Sequence, residues 1–142
     1  MGGLRLGSPR ILLVEDERRL RELVAQFLRS EGYDVVEAGD GGEALDRYAD
    51  SGPFDLILLD LNMPVLSGVE VCRRFRQVGT LPRVMICSAA VVHEHERALH
   101  ALGVTHYLTK PYHPVELLER ITRELDASSE MVEAVGRGTG PR

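Results

Sequence analysis

Phe54-Asp55-Leu56-Ile57-Leu58-Leu59-Asp60-Leu61-Asn62-Met63-Pro64 is the stretch that decides how this chain folds. Leu56 to Leu59 is an unbroken apolar run without alternation, so both faces of the segment call for burial. A short run of that kind predicts a central strand of a parallel sheet. It ends on a carboxylate, Asp60, and Pro64 soon breaks the pattern. Ligands of open parallel sheets gather beyond the carboxyl ends of the strands, and Asp60 is expected to stand there. A lone aspartate after a strand is more often a cap for the next helix. The decision between the two rests on what the other strand ends carry.

Upstream, Arg10-Ile11-Leu12-Leu13-Val14 is a second continuous apolar strand, and it also ends in acid, Glu15-Asp16. From Glu17 to Glu31, Leu20, Leu23, Val24, Phe27 and Leu28 form one helical stripe, with Arg18, Arg19, Arg21 and Arg29 mostly on the wet side. Gly32 suits the position just past the helix end. Tyr33 to Ala38 reads as a strand nearer an edge, because its alternation is weaker. Asp40 and Glu43 have capping-box spacing ahead of Ala44, Leu45, Tyr48 and Ala49, and Gly52-Pro53 closes that helix.

Downstream, Ser67 and Glu70 form a second capping box, with Val69, Cys72 and Phe75 facing inward and Arg73, Arg74 and Arg76 outward. Pro82 to Cys87 is a strand that runs into Ser88. Val91 to Leu102 is helical but thinly amphipathic, and Gly103 stops it. Val104 to Leu108 is a short strand followed by Thr109-Lys110-Pro111. Pro114 opens a last helix bearing Val115, Leu117, Leu118, Ile121 and Leu125. Residues 1–8 read as a flexible leader, 9–126 as one domain, and 127–142, where periodicity fades, as a flexible tail. Five strands alternating with five helices imply an α/β fold, with parallel strands, right-handed crossovers and helices on both faces.

Bulk properties narrow the function. The 142 residues are 44% hydrophobic and 27% charged, with a formal net charge of -5, which argues against direct nucleic-acid binding by this domain. No apolar run approaches the ~18 residues of a membrane span. The N-terminus is too short and glycine-rich for a signal peptide. Cys72 and Cys87 lack metal-ligand spacing and read as buried, reduced thiols. A cytoplasmic, soluble protein is expected.

The strand ends then carry Glu15 and Asp16, Asp60, Ser88 and Lys110. Clustered carboxylates repel unless something compensates them. A hard divalent cation with oxygen ligands does so, and magnesium fits best. With a lysine and a hydroxyl beside a free carboxylate, the set suits phosphoryl transfer, with Asp60 as nucleophile. His93, His95 and His100 do not have the spacing of a zinc-helix motif, because Arg97 and Leu99 occupy the places a second histidine would need. They read as a solvated helix face.

Ile11 to Glu17, Asp55 to Pro64, Ser88-Ala89 and Tyr107 to Pro111, in this order and at these separations, resemble a response-regulator receiver domain of two-component signalling, over roughly residues 9 to 126. The resemblance implies a flavodoxin-like (CheY-like) doubly wound sheet of five parallel strands in the order 2-1-3-4-5, with five helices. It implies that Asp60 accepts a phosphoryl group from a phosphohistidine of a sensor histidine kinase or phosphotransfer protein. Glu15, Asp16, Asp60 and the backbone carbonyl of Asn62 would hold Mg2+, with the Glu15 contact open to running through water. Ser88 would bind the new phosphoryl group, Lys110 would pair with it, and Tyr107 matches the aromatic switch. A cis Lys110-Pro111 bond is expected. Asn62 and Ala90 fall at positions that tune phosphoryl lifetime.

Signalling would pass through the fourth helix, fifth strand and fifth helix to an unknown protein target. The resemblance leaves room for a phosphorylation-dependent homodimer and for membership of a longer regulator. Such a protein assists its own phosphorylation and dephosphorylation without being a turnover enzyme. A haloacid-dehalogenase-like phosphatase needs a second aspartate where Asn62 stands. A phosphorylation-independent pseudo-receiver would have lost an acid or the lysine, and here they are all present. A dinucleotide site would need a G-x-G-x-x-G after the first strand, which is missing.

Overall fold

The computed structural model describes residues 7–79, 83–89 and 93–136. Ala90, the start of the fourth predicted helix, Pro82, most of the leader and the end of the tail lie outside the described residues. In order, the elements are β1 (Arg10–Val14), α1 (Arg18–Ser30), β2 (Asp34–Ala38), α2 (Gly41–Ser51), β3 (Leu56–Leu59), α3 (Gly68–Val78), β4 (Val84–Ser88), α4 (His93–Ala101), β5 (His106–Thr109) and α5 (Pro114–Gly136). Two compact units meet in sequence between Pro111 and Tyr112. The first holds the sheet and α1 to α4. The second is α5 with its lead-in.

All strand pairs are parallel, in the order β2-β1-β3-β4-β5. Every residue of β3 is buried, as its unbroken apolar run requires, and β2 lies at an edge. Leu12, Val14, Ile57, Leu59, Val84 and Ile86 share a core with Ala44 of α2, Phe75 of α3 and Leu99 of α4. Phe75 is fully buried and its ring lies 4.4 Å from that of Tyr48. Truncating such a phenylalanine to alanine costs about 3–5 kcal/mol.

At the amino ends of the strands, Arg10 acts as a staple. Its Nε donates to Asp34 Oδ2 at 2.9 Å, and its Nη1 donates to the carbonyls of Pro53 (3.1 Å) and Ser51. Its backbone N–H donates to Asp55 Oδ2 at 2.7 Å, and the guanidinium sits 5.0 Å over the Phe54 ring. One residue thereby joins the start of β1 to the start of β2 and to the lead-in of β3.

The caps follow the sequence closely. Asp40 Oδ1 accepts from Glu43 N–H at 2.8 Å, while the Glu43 carboxylate reaches back to Gly39 N–H. Ser67 Oγ accepts from Glu70 N–H at 3.2 Å, and the Glu70 carboxylate pairs with Arg73 and Arg74. His113 Nδ1 accepts from Val115 N–H at 3.1 Å ahead of α5, with Pro114 as its first residue.

Two strand starts differ from the expectation for a shared reason. At the end of α1, Tyr33 N–H bonds back to Leu28 O, and at the end of α4, Val104 N–H bonds back to Leu99 O. These bonds belong to helix termination around the left-handed Gly32 and Gly103. Tyr33 and Val104 are therefore spent before the ladders start, so β2 begins at Asp34 and β5 covers His106–Thr109 rather than 104–108. β4 runs one residue further than expected, through Ser88.

Burial on α1 also departs from the predicted stripe. Val24, Ala25 and Leu28 are buried, whereas Leu23 is 59% exposed. At about 100° per residue, Ala25 draws the inward arc toward Arg21 and away from Leu23. Arg21 is accordingly inside the arc, not on the wet side. In α5, Leu117 and Ile121 are buried but Val115 is 53% exposed. That helix continues to Gly136, past the expected boundary at 126, because periodicity reports which face is buried and not whether an existing helix propagates. Among the described residues, no helix is long and apolar enough to cross a membrane.

Candidate functional site

The sheet places Glu15, Asp60 and Lys110 each through one more backbone bond beyond its strand. Glu15 N–H donates to Ala38 O (3.0 Å), Asp60 N–H to Val14 O (3.2 Å) and Lys110 N–H to Ser88 O (2.9 Å). Glu15, Asp16, Asp60, Ser88 and Lys110 therefore come together at the carboxyl ends of β1, β3, β4 and β5. Asp60 does not cap the next helix, since α3 starts at Gly68 with Ser67 as its cap.

Carboxylate oxygens of Glu15, Asp16 and Asp60 all lie within 4.8 Å of one another. Glu15 and Asp60 are buried and Asp16 is exposed, so the cluster has an inner wall and an open side. Lys110 Nζ bridges the two buried acids, bonding Glu15 Oε1 and lying 3.3 Å from Asp60 Oδ2. The remaining oxygens are held by the backbone: Glu15 Oε2 accepts from Glu17 N–H at 3.0 Å and Asp60 Oδ1 from Asn62 N–H at 3.1 Å.

Burial pushes the Glu15 carboxyl above its ordinary range; the bonds to Lys110 and Glu17 oppose this, and the Asp60 charge adds to it. Burial pulls Lys110 down, but the bond to Glu15 and the charges of Glu15 and Asp60 outweigh it and leave the ammonium held above its usual value. One lysine thus serves two buried acids with a third beside them. The donor set is all oxygen, it is short of positive charge, and its exposed member gives access from solvent, which suits a hard divalent cation such as Mg2+. Among the described residues this is the group of metal-capable side chains that converges, and it includes no histidine.

Ser88 is buried at the end of β4, and its Oγ accepts from Asn62 Nδ2 at 3.3 Å. Tyr107 is half-buried against the core, with its hydroxyl donating to Val104 O at 3.3 Å. Burial, then the negative charge of Glu96, raises its phenol pKa. The Lys110-Pro111 bond is cis, as expected, and so is Gly52-Pro53.

Sequence reasoning named Asn62 for its backbone carbonyl and as a position that tunes phosphoryl lifetime, but missed the side-chain bond that links the Asp60 loop to Ser88. It also missed Glu17 as the backbone donor to Glu15. Neither leaves a pattern in the sequence, because each contact depends on how the loop turns. Val65, in the same loop, has φ of 72° and is 86% exposed, a rare conformation for a β-branched residue.

Residues 11–122 match the family model of the response regulator receiver domain. The chain is 36% identical over 121 residues to the transcriptional regulatory protein ResD of Bacillus subtilis, covering 85% of this chain and 50% of ResD. It is 41% identical over 131 residues to the response regulator MprA of Mycobacterium bovis, covering 87% of this chain and 56% of MprA. The chain therefore spans about half the length of these relatives.

Among solved structures, a CheY-like receiver domain protein of Methanospirillum hungatei superposes with a TM-score of 0.81 at 27% identity, covering 88% of this chain and 99% of that one. The chemotaxis response regulator CheY4 of Vibrio cholerae does so with a TM-score of 0.72 at 33% identity, covering 82% of this chain and 98% of that one. With the family match spanning the sheet and all five strand ends, the chain belongs to the response regulator receiver domains of two-component signalling.

Proposed function

We propose that Asp60 accepts a phosphoryl group from a phosphohistidine on a sensor histidine kinase or phosphotransfer protein. The observation that carries this reading is the buried Asp60 carboxylate, held 3.3 Å from Lys110 Nζ and converging with Glu15 and Asp16. A carboxylate oxygen of Asp60 bonds phosphorus while the donor's P–N bond breaks and the electron pair leaves with the imidazole. Asn62 N–H and Lys110 fix the carboxylate plane beforehand, so the nucleophile need not be ordered during the reaction. Lys110 then turns its charge to a phosphoryl oxygen, and the Ser88 hydroxyl donates to another.

Glu15, Asp16 and Asp60, with the Asn62 carbonyl, would hold Mg2+, which when bound neutralises phosphoryl oxygens. The chain acts as a phosphoacceptor in the cytoplasm rather than as a turnover enzyme. Its output is a changed protein-binding surface. Ser88 moving toward the phosphoryl group alters the end of β4, and Tyr107 and α4 respond beside it. α4 suits that role because Leu99 is its fully buried apolar anchor among the described residues.

Incubating the 142-residue chain with acetyl phosphate and Mg2+ should add one base-labile phosphoryl group by mass spectrometry. Asp60→Asn should abolish it. An unchanged adduct on the Asp60→Asn protein would place the acceptor elsewhere.

A further inference from the structure

Behind the acidic turn stands Arg21, which the reaction scheme above does not use. Its side chain is 18% exposed, and it is directed inward from the end of the first turn of α1. Nη1 donates to the backbone carbonyl of Glu15 at 3.0 Å, and Nε donates to Glu37 Oε1 at 3.3 Å. Glu37 is itself steadied by Arg29, whose Nη1 lies 3.2 Å from Glu37 Oε2. Arg21 therefore ties the peptide that joins Glu15 to Asp16 to the far end of β2.

The guanidinium passes close over Gly39. A Cβ placed there would lie 2.9 Å from Arg21 Nη1, so the absence of a side chain at 39 is what admits the arginine. Glu15 is already fixed on its other side by its N–H bond to Ala38 O. With both peptide groups of Glu15 held, the direction in which its own carboxylate and that of Asp16 leave the backbone is set.

We propose that Arg21 is a positioning residue for the acidic pair, acting through the Glu15 carbonyl to aim Glu15 and Asp16 at the cation site beside Asp60. The inference rests on the metal reading given above. It makes a prediction of opposite sign to the simplest alternative. If Arg21 acted only through its charge, removing it would relieve repulsion of a cation and tighten binding. If it acts by positioning, removing it weakens binding, and partners that orient ligands typically account for about 10–100-fold in metal affinity.

The test is calorimetric titration of Mg2+ into the metal-free, full 142-residue chain, with the thermal midpoint and circular dichroism of each variant recorded without metal. Arg21→Gln should bind Mg2+ about tenfold more weakly. Arg21→Lys keeps the charge but cannot span both acceptors, and should weaken binding in the same direction. Arg29→Gln, which touches Glu37 but not the Glu15 carbonyl, should stay within about twofold of wild type, well under a positioning effect.

Gly39→Ala is the variant that spares the fold, because the new methyl displaces only the tip of a flexible side chain. It should show the same loss as Arg21→Gln with Arg21 still present. Tighter binding by Arg21→Gln, or wild-type affinity in both Arg21→Lys and Gly39→Ala, overturns the proposal. Failure of the wild-type chain itself to bind Mg2+ would instead remove the metal reading on which it stands.

Discussion

The carboxamide of Asn62 donates to the hydroxyl oxygen of Ser88 across 3.3 Å, joining the loop after β3 to the end of β4. The Asp60 carboxylate and the Ser88 hydroxyl are thus linked through Asn62, ahead of the phosphorylation proposed for Asp60. Because Asn62 N–H also donates to Asp60 Oδ1, one residue touches both ends of that coupling.

Ser88→Ala is expected to accept phosphate on Asp60 but to respond weakly in structure. Amide exchange with and without phosphate should change across residues 93–109 in the wild type and much less in the variant. Equal changes in both proteins would remove Ser88 from the switch.

Glu15 makes the stability of the metal-free protein depend on pH. Its folded carboxyl titrates above the ordinary value of 4.5, chiefly through burial. The folded state therefore holds this proton more tightly than the unfolded chain does. Its contribution to stability is fully present below pH 4.5 and is lost as pH rises through the raised folded value. Glu15→Gln should accordingly melt higher than wild type at pH 7 without metal, with the gap closing toward pH 4. A variant that melts lower at pH 7 would mean that the Lys110 bond outweighs burial.

Asp16 is the exposed member of the acidic cluster and the one without a bond to Lys110 among those described. Asp16→Ala should lose Mg2+ affinity and acetyl-phosphate labelling together, while its metal-free midpoint holds or rises as like-charge repulsion falls. Chelation of the wild type should stop labelling and leave the far-ultraviolet spectrum unchanged. Undiminished Mg2+ affinity in Asp16→Ala would sink the ligand assignment.

Val65 holds a left-handed backbone with a branched side chain facing solvent. That conformation costs about 1–2 kcal/mol, partly offset in a glycine replacement by the greater freedom of the unfolded chain. Val65→Gly should be more stable by about 0.5–1 kcal/mol in urea melts, with labelling of Asp60 retained. A destabilised variant would show that the Val65 side chain makes a contact worth more than its strain.

Much of this was readable from the chain. The all-apolar run of β3, short and closed off by Pro53 and Pro64, reads as a strand buried on both faces, and it led directly to Asp60. The caps at Asp40 and Ser67 were legible because side chain and backbone there lie within one turn of each other. The starts of β2 and β5 were not, since Tyr33 and Val104 carry good strand residues whose N–H groups are taken by the preceding helix. Arg21 was misplaced for a related reason: an alanine, Ala25, moved the buried arc, and periodicity gives alanine little weight. The Asn62–Ser88 bond had no signal at all, because a loop must close before those side chains can meet.

Arg10 gathers its partners at the amino ends of the first three strands, whereas Asp60 and its companions occupy the carboxyl ends. The sheet thus has a stapled rim and an acidic rim, separated by the length of a strand, roughly 13–17 Å. The starts of the strands are tied by one side chain, whereas their carboxyl ends are tied by the backbone bonds of Glu15, Asp60 and Lys110. Side chains around Asp60 can consequently be exchanged without touching the Arg10 contacts. The converse holds for Arg10. Its loss should lower how much protein a cell accumulates while leaving each surviving molecule as reactive as before.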